Sequence, residues 1–200
     1  MADLYLTHPL LRWFPALTDT SRDADGLHLE AESPVTATDL RVDPTGPGAR
    51  AAAAVLGAPL PTEPGTWVYG DDGQIIWLGP DEWLVTSVSA APHELEARLG
   101  AAVRPHGGAA IDVSAQRTRI RVSGRHARDV LATGCSLDLH PAAFPAGTAA
   151  QSTLGQAPVL LLGLGEGNDF RVFVRPSFAG YLADWLLDAA CEFQPAGTTS

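Results

Sequence analysis

The feature that most restricts what this chain can fold into is a recurring unit of short strand-like runs cut by glycine or proline turns and followed by a proline-led helix. Trp67-Val68-Tyr69 and Ile75-Ile76-Trp77-Leu78 flank the turn Gly70-Asp71-Asp72-Gly73 and read as a hairpin. Gly79-Pro80-Asp81-Glu82 makes the next turn and Trp83-Leu84-Val85-Thr86 the next strand. Pro92 then opens a helix in which Leu95, Leu99, Ala102 and Val103 share a face and Glu94 and Arg98 are spaced to pair one turn apart. The order returns later: Thr148 to Leu154, Val159 to Leu164 and Phe170 to Val174 are strand-like, and Pro176 leads a helix. That helix has an apolar stripe of Phe178, Tyr181, Leu182, Trp185, Leu186 and Ala189 and a wet side of Gly180, Asp184 and Asp188. Trp83-Leu84-Val85 and Phe173-Val174-Arg175-Pro176, each running into a helix, form a loose internal echo. Strand-strand-helix units used more than once predict an α+β fold, with antiparallel or mixed sheets covered by helices on one side.

The other elements follow the same local rules. Leu27 to Ala31 and Val35 to Val42 are strand candidates. After the break Asp43-Pro44-Thr45-Gly46, Pro47 starts an alanine-rich helix that stops at Leu56 before Gly57, and Pro59, Pro61 and Pro64 stiffen the loop beyond. Ala109 to Val113 is a short strand. Thr118 to Ser123 alternates, with Ile120 and Val122 on one face and Arg119 and Arg121 on the other. Gly124 opens a helix that buries Ala127, Val130 and Leu131, and Gly134 stands where a left-handed cap would end it. Residues 1–26, with the cluster Leu10, Leu11, Trp13 and Phe14, read as an irregular lead-in that lies over its own surface or a partner's. Residues 27–193 form one α+β domain or two intimately packed lobes, and residues 194–200 read as a disordered tail.

Acidic residues outnumber basic ones by 23 to 13, for a formal charge of −10, which repels phosphate backbones and anionic lipid. Seven of the acids fall between Asp19 and Asp43 against only Arg22 and Arg41, a solubilising flank or a docking patch for a basic partner. No apolar run is long enough to cross a bilayer, and the N-terminus lacks a basic start and apolar core, so cytoplasmic residence is expected. Cys135 and Cys191 are too few for a disulfide framework or a four-cysteine zinc site, and Cys135 reads as a small packed residue rather than a nucleophile.

Motifs that carry chemistry are sparse in this chain. Gly163-Leu164-Gly165-Glu166-Gly167-Asn168 is followed by a strand, not a helix, and reads as a hairpin turn rather than a phosphate loop. None of the six histidines pairs with another at the short spacing a zinc enzyme uses. Asp112, Ser114 and His140 could be drawn as a hydrolase triad, but no sharp nucleophile turn surrounds Ser114, and Asp112 and Ser114 suit backbone capping at a strand end. Asp81 and Glu82 can converge only in a turn, beside the core residue Trp83. Gln116-Arg117 fits an internal clamp and a partner contact equally well.

Four motifs carry a family likeness: Leu78-Gly79-Pro80-Asp81-Glu82-Trp83-Leu84, Asp112-Val113-Ser114-Ala115-Gln116-Arg117-Thr118, Gly134-Cys135-Ser136-Leu137-Asp138-Leu139-His140-Pro141, and Arg175-Pro176-Ser177-Phe178 through Trp185-Leu186. In this order, from about Val35 to Ala190, the chain resembles the gamma subunit of heterotetrameric sarcosine oxidase. The resemblance implies a place in an enzyme that oxidatively demethylates sarcosine to glycine, forms peroxide and passes the methyl carbon to tetrahydrofolate. It implies direct contact with the alpha subunit, beta and delta subunits in the same complex, and FAD, FMN, NAD and zinc held by those companions. The gamma chain would be non-catalytic, bind no cofactor, and share its fold with the folate-binding region of the glycine-cleavage aminomethyltransferase. Aminomethyltransferases of that fold carry an acidic pair just ahead of the strand that lines the folate pocket. The comparable stretch here, Ile75-Ile76-Trp77-Leu78, is apolar, and Asp71 and Asp72 lie back in the turn. A stand-alone folate-binding or aminomethyltransferase-like protein is the alternative, with Trp67, Tyr69, Trp77 and Trp83 as candidate stacking residues. The candidate partner contacts are Asp81, Glu82, Gln116, Arg117, Asp138, His140 and Pro141.

Overall fold

Among the described residues, proline in the first turn fixes the start of four of the five α-helices, because its locked backbone suits a helix N-terminus and its missing N–H is not needed there. The computed structural model describes residues 8–20, 26–165 and 168–193. Among them the elements run, in order, α1 (Phe14–Asp19), β1 (His28–Ala31), β2 (Thr36–Arg41), α2 (Pro47–Leu56), β3 (Trp67–Tyr69), β4 (Gln74–Gly79), β5 (Glu82–Ser87) and α3 (Pro92–Val103). There follow β6 (Ala109–Asp112), β7 (Thr118–Ser123), α4 (Ala127–Ala132), β8 (Ala149–Leu154), β9 (Ala157–Gly163), β10 (Asp169–Val174) and α5 (Pro176–Ala190). The fold is α+β, with two five-stranded sheets in which β1 and β7, β7 and β10, β9 and β10, β2 and β5, β2 and β6, β3 and β4, and β4 and β5 pair antiparallel. The chain divides into two compact units, one of residues up to 34, 118–146 and from 152, the other of residues 35–117 and 147–151.

The second unit holds the sheet β3-β4-β5-β2-β6. Leu40, Ile75, Trp83, Val85 and Ala110 from its strands pack with Ala49, Ala52 and Leu56 of α2 and Leu95, Leu99 and Val103 of α3. Trp83 is fully buried and donates its indole N–H to the Pro61 carbonyl at 2.8 Å, which pins the proline loop to the core. Gly57 ends α2 at φ +74°, and a Cβ there would fall 2.1 Å from the Asp71 carboxyl carbon, so glycine is required twice over. Glu94 and Arg98 do not pair as their spacing predicts. Glu94 turns back to accept the Ala91 N–H, and Arg98 reaches the Val55 carbonyl at 3.3 Å.

The first unit holds the sheet β1-β7-β10-β9-β8, with residues 152–154 of β8 belonging to it. The alternation of β7 holds: Ile120 and Val122 are buried, while Arg119 and Arg121 face the other way. There Arg121 forks onto Asp169 at 2.9 and 2.8 Å, and Arg171 forks onto Glu32 just past β1. β9 and β10 are antiparallel neighbours, so the glycine-rich run between them is a hairpin connection, although Glu166 and Gly167 lie outside the described residues.

Three local expectations need correction. The lead-in is not irregular over residues 11–19: a 3-10 turn, Leu11–Trp13, runs into α1, where Pro15 sets the first turn and Leu17 is buried. Trp13 covers its own unit, donating its indole N–H to Asp184 at 2.6 Å beneath the Arg12 guanidinium. The buried face of α5 is turned from the expected stripe and consists of Ala179, Leu182, Ala183, Leu186 and Ala190, while Tyr181 is 41% exposed. Small residues let the helix approach closely, and the aromatics flank it. Gly134 is not left-handed. It is glycine because a Cβ would stand 2.4 Å from the Trp185 ring. The expected tail, residues 194–200, lies outside the described residues.

Two stability tests follow. A Cβ on Gly180 would lie 2.5 Å from the Trp13 ring, so Gly180→Ala should destabilise the protein. In a Trp13→Ala background the same change should stabilise by about 1 kcal/mol, the helix preference of alanine over glycine. Equal signs in both backgrounds by urea unfolding would contradict the contact. Asp72 is the second test. Its carboxylate accepts the Ser87 and Ser89 hydroxyls, and its pKa is lowered, chiefly by the Ser87 bond, against a smaller opposing effect of burial. A depressed carboxylate contributes stability above its unfolded pKa of about 3.9 and loses it as pH falls through the folded value. Asp72→Asn should therefore lower the denaturation midpoint at pH 7, with the gap to wild type closing below about pH 4; a gap constant down to acid pH would contradict this.

Candidate functional site

In the second unit, Arg41 ends β2 directly across from Glu82, the first residue of β5. Its guanidinium donates to Glu82 at 2.7 Å and reaches Asp81, in the preceding turn, at 3.4 Å. Asp81 and Glu82 thus do converge, through an arginine that sequence reasoning did not single out. The only available signal was its place at the exposed end of an alternating strand. Arg41 and Asp81 are exposed and Glu82 half-buried, so the pairing contributes about 0–1 kcal/mol and chiefly fixes the shape of this corner. Ile111 on the edge strand β6 is exposed on the same sheet face as Arg41. Gln116, at the end of the 3-10 turn Ser114–Gln116, is exposed, whereas Arg117 is half-buried with its Nε sealed from solvent.

The groups that resembled catalytic parts are committed to backbone. Ser114 donates its hydroxyl to Asp112 at 2.5 Å and accepts the Ala37 N–H at 2.9 Å, and Asp112 also accepts the Ser114 N–H at 3.0 Å. This is the capping role expected for the pair, at the end of β6. A small crevice in the same unit is lined by Asp71, Asp72, Gly73, Thr86, Ser87 and Arg98, among others. Trp67 and Trp83 are buried and Trp77 half-buried. Tyr69, edge-on to Trp67 at 4.7 Å, is 64% exposed.

In the first unit, Asp138, His140 and Pro141 are exposed in the loop after α4. Asp138 accepts the His140 N–H at 2.9 Å, and the His140 Nδ1 accepts the Ala142 N–H at 3.2 Å. Cys135 is half-buried, 3.9 Å from the Ser152 hydroxyl, and Cys191 is exposed. Among the described residues no group of three or more His, Cys, Asp or Glu side chains is placed to hold a metal ion.

Comparison with known proteins gives this arrangement a family. A family model described as sarcosine oxidase, gamma subunit family, matches residues 41–192. A sarcosine oxidase subunit gamma from Corynebacterium sp. (strain P-1) is 38% identical over 159 residues, covering 79% of this chain and 77% of that one. The subunit gamma from Arthrobacter sp. matches with the same identity and coverage. Among solved structures, a chain of the heterotetrameric sarcosine oxidase from Corynebacterium sp. U-96, in complex with pyrrole 2-carboxylate, superposes with a TM-score of 0.86 at 30% identity. That match covers 96% of this chain and 98% of the other. Glycine cleavage system aminomethyltransferase T from Bartonella henselae superposes with a TM-score of 0.66 over 86% of this chain and 48% of its own; at 14% identity this likeness speaks for the fold alone. Since the family model spans most of the chain and the identity to curated gamma subunits exceeds a third, the chain belongs to the sarcosine oxidase gamma subunit family.

Proposed function

We propose that this chain is the non-catalytic gamma subunit of a heterotetrameric sarcosine oxidase and braces the alpha subunit. The subunit assignment rests on family membership and on the match to a chain of the heterotetrameric enzyme. The observation that carries the non-catalytic part is how the polar groups are used. Asp112 and Ser114 cap a strand, Asp72 is held by two serines, and Asp138 and His140 bond within their own loop. A general acid, base or nucleophile needs a group left free to meet a substrate. What faces outward is instead a set of polar turns, and Asp81, Glu82, Gln116, Arg117, Asp138, His140 and Pro141 are the proposed contacts to the alpha subunit.

On this reading the beta and delta subunits complete the complex. FAD, FMN, NAD and zinc sit in the companions, which oxidatively demethylate sarcosine to glycine and hand the one-carbon unit to tetrahydrofolate. Residues 27–193 are the part that does the bracing. Among the described residues no helix is long and apolar enough to cross a membrane, which agrees with a cytoplasmic complex. A second reading, a folate-binding protein in its own right, draws support from the fold and from the exposed Tyr69 beside Trp67.

Two experiments separate them. Coexpression of the other three chains without this one should give poor assembly and little sarcosine oxidation, and full assembly and turnover in its absence would overturn the bracing role. Titration of the isolated chain with tetrahydrofolate in a calorimeter should give no binding heat, whereas saturable binding would favour the second reading.

A further inference from the structure

β1 stands at the edge of the first unit's sheet beside β7, and it is only four residues long. β7, β10 and β9 each lie between two neighbours. Leu27 and Leu29 are buried, while His28 and Glu30 alternate with them, one half-buried and the other exposed. The segment is pinned at both ends. At its entry the Gly26 carbonyl accepts the His126 N–H at 3.2 Å. At its exit the Glu32 N–H donates to the Arg119 carbonyl at 3.1 Å, and the Arg119 Nη2 donates to the Ser33 carbonyl at 2.7 Å. There Arg171 also forks onto the Glu32 carboxylate, with the Arg119 Nε 3.8 Å from the same group. Two guanidiniums, one on β7 and one on β10, thus close on one acid in a mostly buried place, where without it their like charges would face each other. The second unit begins at Val35, so this grip lies close to where the chain leaves the first unit.

We infer that residues 26–32 are a strap that lifts from β7 as a unit while the rest of the sheet stays formed, and that Glu32, held between Arg171 and Arg119, is the clasp that keeps it shut. Lifting the edge strand breaks one short ladder and uncovers two leucines. Parting β7 from β10 instead opens the middle of the sheet, where Ile120, Val122, Phe170 and Val172 are fully buried. The smaller opening comes first. A charged fork is directional, so it fixes the register of the strap as well as its closure. A lifted strap would leave the outward N–H and C=O groups of β7 unpaired, ready to pair with another chain, and the clasp guards against that. Alternation tells which amides report the motion. The Glu32 N–H bonds to Arg119 and the Gly124 N–H to Asn168. Along β7, therefore, the N–H groups of Arg121 and Ser123 point to β1, and those of Ile120 and Val122 to β10.

Residue-resolved hydrogen exchange on the full chain, followed by NMR, tests both parts. In the wild type, Arg121 and Ser123 should be protected at least tenfold less than Ile120 and Val122, although the four alternate along one strand. Equal protection of the two sets would overturn the strap. Glu32→Gln keeps the shape of the side chain and removes its charge, and it should speed exchange at Arg121 and Ser123 at least a further tenfold. Wild-type rates in that variant would overturn the clasp. In Glu32→Ala, added formate should slow the same two amides again, because a small carboxylate fits between the guanidiniums, and neutral formamide should not. No slowing by formate, or equal slowing by formamide, would likewise overturn it. If neither acid variant folds, Arg171→Lys keeps the charge but loses the fork and should speed the same two amides; wild-type rates there would count against the clasp, and the wild-type comparison still tests the strap.

Discussion

One carboxylate, Glu32, holds the first unit's borrowed edge in place. β1 comes from the start of the chain, yet it pairs residue for residue with β7, from His28 against Ser123 to Ala31 against Ile120. Just beyond that ladder Arg171 forks onto both Glu32 oxygens, and the Arg119 Nε lies 3.8 Å from the same group. Their side chains are only 11 to 15% exposed. Two guanidinium charges share one acid in a dry place: burial lowers the Arg119 pKa, Glu32 opposes that, and Arg171 adds to it. Breaking a buried pair by removing one partner costs about 3–5 kcal/mol, because the remaining charge is left in a dry place, so the first unit is sensitive to loss of the acid at position 32.

That borrowed strand also explains why the two units look alike. The second unit runs β2-α2-β3-β4-β5-α3-β6 and orders its sheet β3-β4-β5-β2-β6; the first runs β7-α4-β8-β9-β10-α5 and orders its sheet β8-β9-β10-β7-β1. Position by position the sheets agree, with β1 where β6 would stand. The sequence echo, a hairpin and then a proline-led helix, captures β4-β5-α3 and β9-β10-α5, because turns and prolines act locally. The exchange of β1 for a final strand was out of reach, since alternation marks a strand but not the neighbour it will pair with.

Other misreadings share a physical cause. On α5 the large residues drew attention, but the buried face is set by Ala179, Ala183 and Ala190, whose small size lets the helix sit close. Trp185 instead fills the space left open by Gly134 and Gly155, far apart in sequence from it. The role of Gly134 therefore depends on a side chain 51 positions away, and no local cap rule could have given it. α1 has only six residues, too few to show a helical period.

The candidate site was legible in its exposed residues and illegible in what supports them. Asp81, Glu82, Asp138 and His140 stand out as polar residues in turns. Arg41 and Arg128, which organise them, read as unremarkable strand and helix residues, because their partners are distant: 40 and 41 positions for Arg41, 11, 16 and 40 for Arg128. A carbonyl acceptor leaves no mark in a sequence at all. This bears on what a fold also seen in an aminomethyltransferase presents at its surface here. Several carboxylates near turns are answered within the chain, Asp72 by serines, Asp112 by Ser114, Asp81 and Glu82 by Arg41, Asp138 by backbone. Groups so answered make the turns rigid, and a rigid turn presents the same outline every time a partner meets it.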